Sequence, residues 1–164
     1  MRETENFVDR PPFADGLGRV VTLAEVDDDN WRAVADVAPH DDQREFVAAL
    51  AARYLLLSAR GGLWNSLAVL ADGGVVGHVM WAHDAEGGAY WIGGMVVDAA
   101  EQGRGTGRAA VRALLARLAS RPDCREVRLS YHPRNRAAAR LYESLGFTPT
   151  GEREDEELVV ALAV

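Results

Sequence analysis

The chain has 164 residues, 48% of them hydrophobic and 26% charged, a balance that suits one globular domain burying roughly 70% of its unfolded surface. A net charge of −7 and a pI near 5.1 argue against nucleic acid as a partner, because phosphate-binding surfaces are basic, and make a cationic ligand easier to accept. No apolar run is long enough to cross a bilayer or act as a secretory signal, and lone Cys124 allows no internal disulfide, so the expectation is a cytoplasmic protein with no membrane partner.

Residues 1–18 carry Pro11, Pro12, Gly16 and Gly18 with little periodicity and read as a loose N-terminal extension ahead of a single domain over 19–164. Residues 20–25 read as the first strand. Asp27, Asp28 and Asp29 stand where a helix N-terminus favours negative charge, which predicts a short helix through Trp31 and Val34. Beyond Pro39, Phe46, Val47, Leu50, Tyr54 and Leu57 recur at helical spacing and predict a longer helix that ends near Gly61 and Gly62. Strands over 67–71 and 75–82 meet at Asp72-Gly73-Gly74, a hairpin signal because the turn needs positive φ. A second hairpin turns over 84–88, and a strand over 89–97 follows. Next come an amphipathic helix over 106–120 with Val111, Leu114, Leu115 and Leu118 on one face, and a strand over 126–131 with Cys124 as a buried thiol at its start. A helix over 135–145, stopped by Gly146, and strands over 147–150 and 158–164 complete the chain.

Between the strand over 89–97 and the helix that follows it lies Glu101-Gln102-Gly103-Arg104-Gly105-Thr106-Gly107-Arg108. Three glycines let the backbone approach an anion closely, and the helix directs unpaired N–H groups and its positive end at it, so the segment reads as a pyrophosphate cradle. Arg104 and Arg108 add charge beside it. A P-loop needs a lysine, and the chain has none. A Rossmann fingerprint would require further βα units and an acidic ribose ligand roughly 20 residues on, and neither follows.

Gln102-Gly103-Arg104-Gly105-Thr106-Gly107 resembles the Q-x-x-G-x-G motif with which the GNAT superfamily of N-acetyltransferases holds the pyrophosphate of acetyl-CoA. Met95-Val96-Val97-Asp98 resembles the family strand that pairs with the pantetheine arm. The block from Asn135 through Ala138, Leu141, Tyr142 and Gly146 to Phe147 is similar to the family pattern N-x-x-A-x-x-L-Y-x-x-x-G-F. The resemblance covers residues 67–164, and the sequence around Tyr90-Trp91-Ile92 and residues 122–131 is most similar to bacterial polyamine acetyltransferases. It implies an α/β fold with a mixed, splayed sheet flanked by helices, acetyl-CoA as acyl donor, and a primary amine of a small cationic molecule as acceptor. An aminoglycoside, a protein amine, and a non-catalytic acyl-CoA-binding module remain the alternatives, and a homodimer stays open.

The same resemblance implies a role for Tyr142 as the acid that protonates the departing thiolate, with Met95, Val96, Val97, Gln102, Gly103, Arg104, Gly105, Thr106, Gly107, Arg108, Asn135 and Tyr142 around the cofactor. Relatives carry a glutamate base where this chain has Ser130 or Trp91, and an arginine where it has Gly94, which points to deprotonation through an ordered water or to a neutral amine. Trp81, Tyr90, Trp91 and Tyr131 are the candidate walls of an acceptor pocket, suited to a cation through cation–π contact. His40, His78, His83 and His132 show no metal-ligand spacing, so no metal site is expected.

Overall fold

The computed structural model describes residues 12–164. Its strands are β1 (Phe13–Ala14), β2 (Val20–Glu25), β3 (Asn65–Ala71), β4 (Gly74–Asp84), β5 (Ala89–Val97), β6 (Glu126–Tyr131), β7 (Thr148–Glu154) and β8 (Glu157–Ala163). The helices are α1 (Trp31–Ala35), α2 (Ala52–Gly61), α3 (Thr106–Ala119) and α4 (Arg136–Ser144). All eight strands form one sheet in the order β1-β2-β3-β4-β5-β6-β8-β7. Every neighbouring pair is antiparallel except β5 and β6.

The parallel pair determines where a ligand can enter. β5 and β6 pair only at Tyr90 with Val127 and Trp91 with Arg128, after which they diverge. The far half of β5 therefore faces a groove instead of a strand. On its other side β5 stays paired with β4, through an irregularity between His78 and Met80 that leaves Gly94 and Met95 without partners in the register. Gly94 has φ +54, and a Cβ there would lie 3.0 Å from the His78 ring and 3.1 Å from both Met80 and Tyr54. Those three side chains fill the space an arginine would need.

One face of the sheet packs on α3, whose Val111, Leu114, Leu115 and Leu118 are fully buried with Val127, Leu129 and Leu145 in the main core, as the helical period required. A smaller core of Val37, Ala51 and Val96 lies apart from it. Cys124 is buried and free, which agrees with a structural thiol.

Three local expectations change. The helix expected to start before Phe46 is confined to Ala52–Gly61, because Phe46 and Val47 turn into the groove while Leu56 and Leu57 stay exposed. The last hairpin is longer than its apolar residues suggested: β7 runs on through exposed Gly151, Glu152, Arg153 and Glu154, because backbone pairing with β8 continues where side-chain burial has ended. Of the segment expected to be loose, residues 1–11 lie outside the described residues, whereas Phe13 and Ala14 pair with β2. Asp15 then binds Arg19 at 2.8 Å, Arg19 reaches Glu101 at 2.9 Å, and the Gly16 N–H donates to the Arg104 carbonyl at 2.6 Å. This clasp holds the glycine-rich loop from outside.

Candidate active site

Two cavities open into the groove from opposite ends and share Phe46, Val47, Met95, Asn135, Ala138 and Tyr142. The first, of about 280 Å³, runs along Met95, Val96 and Val97 to Gln102, Gly103, Gly105, Thr106 and Gly107. Gly103 and Gly105 have φ of +77 and +76, a conformation glycine adopts without strain. Gly105 sits at the N-cap of α3 and supplies no side-chain cap, so the first-turn N–H groups remain available for an anion. The hydroxyl of Thr106, the first residue of α3, is buried and has no partner among the described residues. This is a donor set that fits a pyrophosphate, which supplies the acceptor oxygens the loop lacks.

Not all the residues expected here do the same work. The Gln102 amide donates to the Val97 carbonyl at 2.9 Å and exchanges hydrogen bonds of 2.7 and 2.8 Å with Gln43, so it ties the loop to β5 and to the segment after α1. Arg104 is exposed and paired with Glu101 at 3.0 Å. Arg108 is exposed and bonds Ser144. Neither arginine side chain lines the cavity. Asn135 caps α4 by accepting from the Ala138 N–H at 3.2 Å, which sets the start of the helix that carries Tyr142.

Tyr142 is 7% exposed and faces both cavities, stacked on Tyr131 at 6.1 Å and edge-on to Phe147 at 5.7 Å. Burial, reinforced by Tyr54, pushes its hydroxyl well above the usual phenol value, so it keeps its proton at neutral pH. Beneath β5, His78 is fully buried and stacked on Tyr54 at 5.3 Å. Its Nδ1 lies 2.7 Å from the Gly94 carbonyl, which can only accept, so Nε2 accepts from the Ser66 hydroxyl at 2.8 Å. Burial lowers the His78 pKa to about 4 against a smaller opposing effect of that carbonyl; the ring is neutral and fixes the bulge in β5.

The second cavity, of about 680 Å³, is walled by Trp64, Trp91 and Tyr131 and carries the carboxylates of Asp84, Glu86, Glu154 and Glu157. Of the four candidate wall residues, Trp91 and Tyr131 line this cavity. Trp81 and Tyr90 do not line it: Tyr90 is 2% exposed and donates to Asp123 at 2.8 Å, and Arg121 lies over the Trp81 ring at 4.4 Å. Alternation along β4 and β5 turns these two rings to the core side. His83 borders this cavity, stacked on Tyr90 at 4.3 Å. Among the described residues no group of three His, Cys, Asp or Glu is placed to hold a metal ion.

The model of the acetyltransferase (GNAT) family matches residues 20–147. The chain belongs to this family. The family reaction is transfer of the acetyl group of acetyl-CoA to an amine. The chain is 27% identical over 139 residues to the spermine/spermidine N(1)-acetyltransferase of Bacillus subtilis, covering 80% of this chain and 90% of that protein. Its fold is similar to aminoglycoside acetyltransferase AAC(6')-Ib in complex with coenzyme A, with a TM-score of 0.71 and 19% identity over 87% of this chain and 94% of that one. It is also similar to spermidine N-acetyltransferase from Vibrio cholerae in complex with CoA and spermine, with a TM-score of 0.68 and 15% identity over 87% and 95% of the two chains. No helix among the described residues is long and apolar enough to cross a membrane.

Sequence reasoning missed Glu154, Glu157, Asp84 and Glu86. In the run 152–157 the carboxylates look like an ordinary solvated turn, and only the pairing of β8 with both β6 and β7 carries them to the groove.

Proposed function

We propose that this acetyltransferase acts on a primary amine of a small polycation, with a polyamine as the first acceptor. The observation that carries the proposal is the acceptor cavity: four carboxylates and three flat aromatic walls, in a volume within the usual range for small-molecule sites. Carboxylates supply long-range attraction for ammonium groups, and aromatic faces add cation–π contact to the carbon-linked nitrogens. The similarity to a spermine/spermidine acetyltransferase supports the same class. The volume also admits an aminoglycoside, which is the second reading.

In the reaction, the Tyr142 hydroxyl, kept protonated by burial, gives its proton to the departing sulfur. The oxyanion that develops on the thioester carbonyl needs a donor, and β5 offers one in the Met95 N–H. A trans peptide sets its C=O and N–H antiparallel, so while His78 holds the Gly94 carbonyl, the Met95 N–H of that peptide points away from the ring. Such a donor, fixed before the reaction begins, stabilises developing charge at little reorganisation cost.

Thiol release from acetyl-CoA, measured against spermidine, spermine, short diamines, an aminoglycoside and a peptide N-terminus, tests the proposal. Turnover is expected with the polyamines and to fall as the number of amino groups falls. Preference for the aminoglycoside selects the second reading, and CoA binding without release with any amine selects a non-catalytic acyl-CoA-binding module. A homodimer and a cytoplasmic location complete the proposal, the former testable by sedimentation.

A further inference from the structure

The Ser130 hydroxyl, on β6, donates to the carboxylate of Glu157, on β8, at 2.6 Å. Ser130 pairs with Val159 across β6 and β8, and side chains alternate along a strand, so Ser130, Val159 and Glu157 share one face. Both Ser130 and Glu157 line the acceptor cavity that Tyr142 borders. A serine is too weak a base for an ammonium group, whereas a carboxylate held by that serine occupies the same corner of the groove. We infer that Glu157 is the proton acceptor for the attacking amine and that Ser130 is its positioning residue; this rests on the amine-transfer reading above.

The surroundings favour a carboxylate that meets a cation from the substrate. Glu154 lies directly across the hairpin from Glu157, and like charges facing each other across a ladder destabilise it unless a cation intervenes. The ion pairs at this edge run from Arg128 to Glu126 and Glu152, with His132 3.5 Å from Glu156, and among the described residues none reaches Glu157. The other titratable groups on the cavity are Glu154 from β7, Tyr131 and His132 from the end of β6, and Tyr54 and Tyr142 from α2 and α4. His83, Asp84 and Glu86 add those of the β4–β5 hairpin, and no arginine lines the cavity among the described residues.

The step balances as follows. One N–H bond of the ammonium breaks and its proton passes to Glu157; the freed lone pair forms the C–N bond to the thioester carbonyl carbon. The C–S bond breaks and the sulfur takes the Tyr142 proton. The second proton that nitrogen loses as the amide forms restores the tyrosine through solvent, and Glu157 releases its own to solvent. Ammonium and thioester become amide, thiol and one proton.

The test is the pH dependence of kcat/KM for spermidine, by thiol release between pH 6 and 10, in the wild-type protein, Glu157→Gln, Glu157→Asp and Ser130→Ala, with acetyl-CoA affinity measured by calorimetry. With Glu157 as acceptor, bound ammonium is a competent reactant and the wild-type profile is nearly flat below the pKa of the amine. Glu157→Gln must wait for amine already neutral in solution, so its rate should fall roughly 10² to 10⁴-fold near pH 7 and climb about tenfold per pH unit towards the amine pKa. Glu157→Asp should keep the wild-type profile at a lower kcat, Ser130→Ala should lose only a few-fold, and acetyl-CoA affinity should stay within about two-fold in all three. A wild-type profile in Glu157→Gln, or the same loss at every pH with only KM raised, would overturn the role of Glu157 while leaving amine transfer intact. Absence of thiol release by the wild-type protein with every amine overturns both readings.

Discussion

The two ends of the groove are built by different means. The end beside the glycine-rich loop is backbone: an unpaired strand edge from Met95 to Val97 and the loop that opens α3, with Glu101 the single carboxylate on its wall among the described residues. The other end, proposed for the acceptor, is side chains, drawn from the segment after α1, from α2, from the β4–β5 hairpin, from β6 and from the β7–β8 hairpin, with four carboxylates among them. A ligand shared by a whole family is held by groups every residue carries, whereas an acceptor is chosen by groups that can vary without disturbing the sheet.

The largest effect should appear where the two ends meet. Tyr142→Phe is expected to lower kcat by roughly 10² to 10⁴-fold while acetyl-CoA affinity changes by a few-fold at most. Full activity with saturating amine across pH 7 to 9 would mean that solvent protonates the thiolate and that Tyr142 only packs against Tyr131 and Phe147.

At the cofactor end, Gly105→Asp puts a carboxylate into the cradle and a Cβ 3.3 Å from the Gly16 nitrogen. We expect affinity for acetyl-CoA to drop on the order of 100-fold, about 2.7 kcal/mol, in a protein that still folds by circular dichroism. Unchanged affinity would show that the anion sits elsewhere and would erase the contrast between the two ends.

Beside Gly94, His78 supplies a pH test. Its folded pKa of about 4 lies below the unfolded value of 6.5, so between these values the unfolded chain binds the extra proton and stability is lost as pH falls from 6.5 towards 4. The full loss is on the order of 3 kcal/mol. Thermal melts at pH 7 and pH 4.5 should show a larger drop for wild-type protein than for His78→Gln, and equal drops would show that the ring is not held neutral.

The smallest effects belong to the acceptor rim. Asp84→Asn and Glu86→Gln should each raise KM for spermidine by roughly 2 to 5-fold with kcat unchanged, because exposed ion pairs are screened. If both leave KM untouched even at low salt, the acidity of this end does not select the acceptor.

Much of this was legible before any fold was known, and the reason is locality. Gln102 to Gly107 and Asn135 to Phe147 are contiguous because one loop suffices to open α3 and one helix to carry Tyr142, and the alternation and helical periods that placed β5, α3 and β6 act over a few residues. Absent lysine and net negative charge narrowed the chemistry without any geometry. What the tertiary structure alone decided is the company of residues far apart in sequence. Long-range strand pairing set Glu157 against Ser130, the bulge in β5 let His78 and Tyr54 fill the space beside Gly94, and alternation on a strand sent Trp81 and Tyr90 to the core while Trp91 reached the groove. A one-residue change of register reverses every such assignment, and that register is settled by packing across the whole sheet rather than by any local run of residues.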